Sequence, residues 1–124
     1  MAGQRSKLQE DIHFRVLRHI QDNPEISQRE LARAVGISVG GAHYVINALL
    51  AKGLIKLGNF TVAENKRRYA YVLTPKGIAQ KAHATRRFIV RKMAEYEALR
   101  AEIEDVKAKL SDQELKDLRA ELKG

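Results

Sequence analysis

Residues 27–38 specify a helix start, a helix end and a second helix start, and no other segment limits the possible folds as strongly. The run Ser27-Gln28-Arg29-Glu30 has the form of a capping box, in which the serine hydroxyl accepts from a first-turn N–H and the glutamate reaches back to the cap. Gly36 is placed to end that helix in the left-handed conformation, and Ser38 is placed to cap the next one. The sequence therefore predicts two helices joined by a tight turn.

Apolar residues at helical spacing extend this pattern in both directions. A first helix is predicted to end before Pro24 and to bury the stripe Leu8, Ile12, Phe14, Val16, Leu17 and Ile20. The second helix is predicted to bury Leu31, Ala34 and Val35, followed by Ile37 as a buried residue of the turn. The third, predicted over residues 38–52 and ended by Gly53, has the apolar face Ala42, Val45, Ile46, Leu49 and Leu50.

Two short runs rich in β-branched and aromatic residues follow, at 54–57 and 69–73. The stretch between them is polar and carries Lys66, Arg67 and Arg68, so the sequence predicts a β-hairpin with a basic tip over residues 58–68. Thr74 and Pro75 then mark the start of another helix, because proline suits the first helical position.

The helix that begins at Pro75 carries a seven-residue repeat and is predicted to run to about residue 110. The repeat positions are Ile78, Ala82, Thr85, Ile89, Lys92, Tyr96, Leu99, Ile103, Val106 and Leu110. Such a repeat predicts a coiled-coil dimerisation seam, parallel or antiparallel, in which Lys92 helps to set the register. Beyond it, Ser111 starts a second capping-box pattern before Leu115, Leu118 and Leu122, which indicates a short separate helix or a frayed end.

Together these elements predict a mainly α-helical chain with a small β-hairpin (α+β). The order helix, helix, turn, helix, hairpin, long helix is that of a winged helix-turn-helix head, residues 1–74, followed by a helical dimerisation arm, residues 75–124. In this geometry the third helix enters a DNA major groove about 12 Å wide. The charge agrees with such a partner, since 23 basic against 15 acidic residues give +8. We therefore expect a homodimer that binds double-stranded DNA.

Several other functions are disfavoured by composition. The chain has no cysteine, and its four histidines lack the spacing of metal ligands, so we expect no metal, no cofactor and no enzymatic activity. The polar N-terminus and the lack of a long apolar run predict no signal peptide and no membrane partner, hence a cytoplasmic protein.

Helical phase selects the residues expected to face DNA. On the third helix and its cap these are Ser38, Val39, Gly40, Gly41, His43, Tyr44 and Asn47. Asn47 is predicted to bond an adenine edge in two places, and His43 to donate to a base or a phosphate. The two glycines are interpreted either as a close approach of backbone N–H groups to a phosphate or as a flexible tip.

Cationic side chains complete the predicted DNA-binding set. Arg29 and Arg33 on the second helix are expected to reach phosphates. Lys66, Arg67 and Arg68 in the hairpin are expected to contact phosphates or the adjacent minor groove.

Three motifs resemble MarR-type regulators: Gly36-Ile37-Ser38, residues 47–56 and residues 71–77. Asn59-Phe60 and arm residues 88–99 resemble more closely the MarR-family regulators associated with exopolysaccharide gene clusters in bacteria. The resemblance spans most of residues 8–106 and implies a dimeric, sequence-specific transcriptional regulator. Many such proteins have a small-molecule pocket between head and dimerisation helices, and nothing in this sequence identifies an effector.

Two alternatives use the same fold. One is an architectural protein that coats DNA without sequence preference, and the other is a winged helix that docks onto another protein. Selective affinity for one DNA site separates the first from a regulator. Loss of DNA retention on reversing the charge of Arg67 and Arg68 separates the second.

Overall fold

The structure, a computed structural model, describes residues 3–58, 61–63, 66–68 and 70–124, with residue 4 and the strands 61–63 and 66–68 described by backbone only. Its helices are α1 (Gly3–Asp22), α2 (Gln28–Val35), α3 (Val39–Ala51), α4 (Pro75–Lys107) and α5 (Asp112–Lys123). Its strands are β1 (Ile55–Leu57), β2 (Thr61–Ala63), β3 (Lys66–Arg68) and β4 (Tyr71–Leu73). The predicted fold class, mainly helical with a small hairpin and a long C-terminal helix, is confirmed.

The predicted turn between α2 and α3 is confirmed down to its caps. The Ser27 hydroxyl accepts from the Glu30 N–H at 3.0 Å, and the Glu30 carboxylate accepts from the Ser27 N–H at 3.4 Å. Gly36 has φ +80°, and its N–H donates to the Ala32 carbonyl. The Ser38 hydroxyl accepts from the Gly41 N–H at 2.9 Å, which satisfies a donor that has no partner within the helix.

The core lies where α1, α2 and α3 meet the base of the hairpin. Its most deeply buried large side chains are Val16, Ile20, Leu31, Ile46, Leu49 and Ile55. Three sequence predictions are wrong here. Leu8 is 60% exposed, because buried residues on α1 begin only at Asp11. On α2, Ala32 is buried and Ala34 is exposed, because this short helix packs on both α1 and α3 through the face that contains Leu31. Ile37, predicted to be buried, is half-buried.

The hairpin contains a second pair of strands that was not predicted. Strands β1 and β4 pair antiparallel with Ile55 opposite Leu73, shorter than the predicted runs 54–57 and 69–73. Strands β2 and β3 form a second antiparallel pair, with Thr61 opposite Arg68, inside the stretch predicted as the basic tip. Backbone pairing of the two arms continues the hairpin there, although most of these side chains are polar. Asn59 and Phe60 lie outside the described residues.

Helix α4 begins in contact with the first residues after α3. The Thr74 hydroxyl accepts from the Gly77 N–H at 3.0 Å and donates to the Gly53 carbonyl at 2.6 Å. The Lys76 ammonium donates to the Lys52 carbonyl at 3.0 Å, near the end of α3. A Cβ at Gly77 would overlap the Leu54 carbonyl oxygen, so only glycine allows this close approach.

The first part of α4 packs on α1. The Phe88 ring stacks on the Phe14 ring with centroids 4.5 Å apart, and the Arg15 guanidinium lies 5.5 Å from the Phe88 ring centre. Arg87 and Glu10 form an ion pair at 2.8 Å. The chain consists of two compact units, Met1–Phe88 and Ile89–Gly124. The division into a DNA-binding head, residues 1–74, and a dimerisation arm, residues 75–124, stays a prediction.

The second unit holds the rest of α4 and all of α5. Helix α4 ends at Lys107, earlier than predicted, because residues 108–110 form a turn before the next helix. The Ser111 hydroxyl accepts from the Glu114 N–H at 3.2 Å and caps α5, so the segment is a separate helix and the frayed-end alternative is wrong.

No single helix within the described ranges is long and apolar enough to cross a membrane. Helices α2 and α3 together have the length and composition of a membrane span, but they are bent by 104° at the break between them. Their apolar faces are buried in the core of the head. Among the described residues, no group of three His, Asp or Glu is arranged to hold a metal ion.

Gly77→Ala is expected to lower the free energy of unfolding by about 1–3 kcal/mol, because the added methyl group displaces backbone at the joint of β1 and α4. Urea denaturation followed by circular dichroism measures the change. Gly40→Ala is the matched control: its Cβ would meet nothing closer than the Ser38 hydroxyl at 4.0 Å, so its stability should be equal or slightly higher. Equal stability of both variants would contradict the close approach at Gly77.

His13 is expected to make the fold less stable in acid. Its Nε2 atom is buried without a hydrogen-bond partner in the described part of the chain, and this burial, with the Lys52 charge, lowers the pKa of His13 below the ordinary 6.5. The unfolded chain then binds the proton more readily, so stability is complete above pH 6.5 and falls as the pH drops through the lower folded value.

The free energy of unfolding at pH 8 and pH 5 tests this expectation. His13→Gln should show a smaller loss between the two pH values than the wild type, whereas replacing the exposed His83 by Gln should leave the loss unchanged. A His13→Gln variant with the full pH dependence of the wild type would refute the assignment.

Candidate nucleic-acid interface

Burial of one face of α3 decides which of its side chains point outward. Ala42, Val45, Ile46 and Leu49 are buried in the head, as their spacing predicts. The other side of the helix carries the predicted DNA-facing set: Val39, Gly40, His43, Tyr44 and Asn47 are exposed, and Gly41 is half-buried. Tyr44 is 67% exposed, a large area for an aromatic ring. The structure therefore brings these residues together on one outward face.

The two glycines at the start of α3 have different structural roles. A Cβ at Gly41 would lie 3.1 Å from the Ser38 hydroxyl, so glycine leaves room for the cap. A Cβ at Gly40 would have no contact shorter than 4.0 Å, and no packing constraint within the chain requires glycine there. The first-turn N–H groups also carry the positive end of the helix dipole, which favours an anion near Gly40.

Two polar side chains on the outward face bond to each other. The Asn47 Nδ2 lies 3.0 Å from the His43 Nε2. In the imidazole tautomer that carries its proton on Nδ1, Nε2 accepts from this amide nitrogen. Their spacing of four places these two residues one turn apart, but the spacing alone did not predict the bond between them.

Exposed cations lie on α2 and β1, two elements that pack against α3. Arg29 and Arg33 are exposed on α2, which packs against α3. Lys66, Arg67 and Arg68 lie on β3, and their side chains fall outside what the structure describes. Lys56, exposed on β1 beside the buried Ile55, is a further cation that the sequence analysis did not include. Alternation gave no signal for Lys56, because Ile55 is buried while both Lys56 and Leu57 are exposed.

The predicted dimerisation residues form a largely uncovered stripe along α4. Ile78, Ile89, Tyr96, Leu99, Ile103 and Val106 are each 47–57% exposed, and Ala82 is also exposed. Thr85, Lys92 and Leu110 are half-buried. The Thr85 hydroxyl donates to the Lys81 carbonyl at 2.7 Å, and Lys92 pairs with Glu95 at 2.8 Å. Ile78, Ala82 and Thr85 belong to the first compact unit and the remaining positions to the second.

Phe88 is the anchoring residue that the sequence analysis missed. It lies one position before Ile89 and off the seven-residue repeat, and its ring packs on Phe14 of α1. Two faces of α4 thus have different surroundings, one against the head and one exposed.

Comparison with known proteins identifies the class of the head. Residues 9–56, which run from α1 through β1, match the family described as winged helix-turn-helix DNA-binding. The match covers 48 of the 124 residues, and it agrees with the winged helix-turn-helix fold described above. No curated protein matches the sequence significantly.

Solved structures share the fold over most of the chain. MarR from E. coli in its apo form has 18% identity and a TM-score of 0.52, over 90% of this chain and 73% of that one. Sso10a-2, a DNA-binding protein from Sulfolobus solfataricus, has 19% identity and a TM-score of 0.51, over 83% and 97%. A Mycobacterium tuberculosis MarR family protein in complex with salicylic acid has 21% identity and a TM-score of 0.50, over 90% and 73%. At these identities the likeness establishes the fold.

Proposed function

We propose that the chain is a dimeric, sequence-specific transcriptional regulator of the MarR type. In this proposal α3 lies in a major groove and the basic hairpin lies on the flanking backbone or in the minor groove. The observation that carries it is the polar outward face of α3, opposite a fully buried face, within a domain that matches DNA-binding winged helices.

The charge distribution supports a nucleic acid as the partner. Residues 75–92 carry six basic and no acidic side chains, and the chain as a whole has a net charge of +8. Arg29 and Arg33 lie beside α3, where phosphates flank a helix bound in the major groove. Neutralising phosphates with such cations supplies affinity, while the α3 face supplies base contacts.

Dimerisation is the second part of the proposal. The half-exposed apolar side chains of α4 are costly to leave in water, at about 25 cal/mol for each Å² of apolar surface. A second copy of the chain offers the same stripe, and two-fold pairing gives two heads for two half-sites separated by one or more turns of about 34 Å. Parallel and antiparallel seams both satisfy this symmetry.

The finer assignments rest on motif resemblance. Residues 88–99 and Asn59-Phe60 support a regulator associated with exopolysaccharide genes, acting in the cytoplasm. The proposal includes no cofactor and assigns no small-molecule effector.

Reversing two hairpin charges should abolish DNA retention. We expect Arg67→Glu with Arg68→Glu to weaken binding to duplex DNA at least 100-fold at 100 mM salt and to flatten the salt dependence, because two cations become anions near the phosphates. Fluorescence anisotropy with labelled duplexes measures both quantities.

The control makes the same charge change far along the chain, as Lys116→Glu with Arg119→Glu on the exposed surface of α5. Its affinity should stay within a few-fold of the wild type. If both pairs weaken binding equally, net charge alone accounts for retention. If neither pair of substitutions weakens binding, the surface is better explained by docking onto another protein than onto DNA. If the wild type binds all duplexes with equal affinity, the chain is an architectural DNA-binding protein.

Charges placed in the α4 stripe should separate the subunits. Leu99→Asp with Ile103→Asp is expected to convert a dimer to a monomer at micromolar concentration, because carboxylates cannot be buried unpaired in a seam. Multi-angle light scattering gives the mass directly. Ala101→Asp, exposed on the other side of α4, should remain dimeric, and a monomeric wild type would refute dimerisation.

A further inference from the structure

The paired side chains of His43 and Asn47 carry an inference about which base the interface reads. Both are exposed on the outward face of α3, and the amide nitrogen donates to the imidazole Nε2 at 3.0 Å. When the imidazole proton is on Nδ1, Nε2 is an acceptor, and the bond then favours the amide orientation that places Nδ2, not Oδ1, toward the ring.

We propose that His43 is a positioning residue that holds the Asn47 amide ready to read one adenine in each half-site. This inference rests on the proposed function, because it requires α3 to lie in a major groove. It goes beyond that function by naming the base and the residue that prepares its recognition.

The chemistry of the amide allows both contacts at once. An asparagine reads adenine when its Oδ1 accepts from the base N6 amino group and its Nδ2 donates to N7. That pair of bonds uses the Nδ2 hydrogen on the same side as Oδ1. The second Nδ2 hydrogen points away from Oδ1 and remains for His43, so the two partners do not compete.

Small residues on both sides leave the pair open to a base edge. Gly40 lies three residues before His43, and Ala51 lies four residues after Asn47, so all four share one row along the helix. All four are exposed. The lack of a side chain at Gly40, which no contact within the chain requires, is explained if a base pair approaches this row.

Preorganisation is the expected benefit of the pair. An exposed amide on a rotatable side chain presents either its oxygen or its nitrogen to a given base atom, and only one arrangement fits adenine. Since the bond to Nε2 selects that arrangement before DNA arrives, removing the imidazole should weaken discrimination at one base and leave phosphate contacts unchanged.

Selection from a random duplex library at pH 8 tests the proposal, with Asn47→Ala, His43→Ala, His43→Gln and His83→Ala beside the wild type. The wild-type motif should contain one adenine at a fixed position in each half-site. Asn47→Ala and His43→Ala should lower the preference for that adenine by between about 5-fold and about 150-fold and leave other positions unchanged.

Two variants separate positioning from a structural role. Glutamine at position 43 retains a carbonyl acceptor at i, i+4 spacing from Asn47, so His43→Gln should restore the adenine preference. His83→Ala, which removes an exposed histidine from α4, should select the wild-type motif. Circular dichroism of the His43→Ala protein should match the wild type, since the position is exposed and alanine favours helix.

The outcomes distinguish this inference from the proposed function. An adenine preference that survives His43→Ala, or a motif unchanged by Asn47→Ala, overturns the inference and leaves DNA recognition standing. A wild-type protein that binds duplexes without enriching any motif overturns the inference and the sequence specificity, but not DNA binding. A wild-type protein that retains no duplex overturns both.

Discussion

Burial of the apolar face of α3 is the interaction on which the rest of the head depends. Ala42 and Leu49 have no exposed surface, and Ile46 has almost none. A helix of 13 residues is marginal by itself in water, so this packing is what keeps it formed. The same packing sets the rotation of α3 about its axis and thereby selects His43, Tyr44 and Asn47 as the outward residues.

The end of α3 is tied to both the hairpin and α4 through one short segment. The Leu54 carbonyl accepts from the Thr74 N–H at 3.0 Å and from the Thr74 hydroxyl at 3.2 Å. Gly77 allows α4 to begin against that carbonyl. The base of the hairpin and the first turn of α4 therefore share a single joint, which places the hairpin beside α3 within the head.

The ends of α2 and the start of α3 could be predicted because they depend on hydrogen bonds between near neighbours in sequence. Burial of individual side chains could not, because it depends on packing between distant segments. Ser27, Gly36 and Ser38 act through bonds to residues three or four positions away, so their roles can be read from a short segment. Leu8 fits the apolar period of α1 equally well, but a period does not tell how far the partner surface extends.

Side-chain pattern also failed where the backbone supplied the structure. The residues of β2 and β3 were predicted only as part of the basic tip of the hairpin, yet the N–H and C=O groups of the two strands pair. Phe88 was missed for a different reason: it lies off the repeat that dominates α4, and its partner Phe14 is far away in sequence. The outward face of α3 followed correctly from helical phase, whereas the bond between His43 and Asn47 required their rotamers.

The different surroundings of the two faces of α4 connect the head with the proposed dimer. Helix α4 contributes to both compact units, and its Phe88 face is occupied by α1. In the proposed dimer, a second copy on the seam face would leave the stacking of Phe88 on Phe14 in place. In the proposal, the repeat of α4 brings two copies of the chain together, while the outward row of α3 reads the bases.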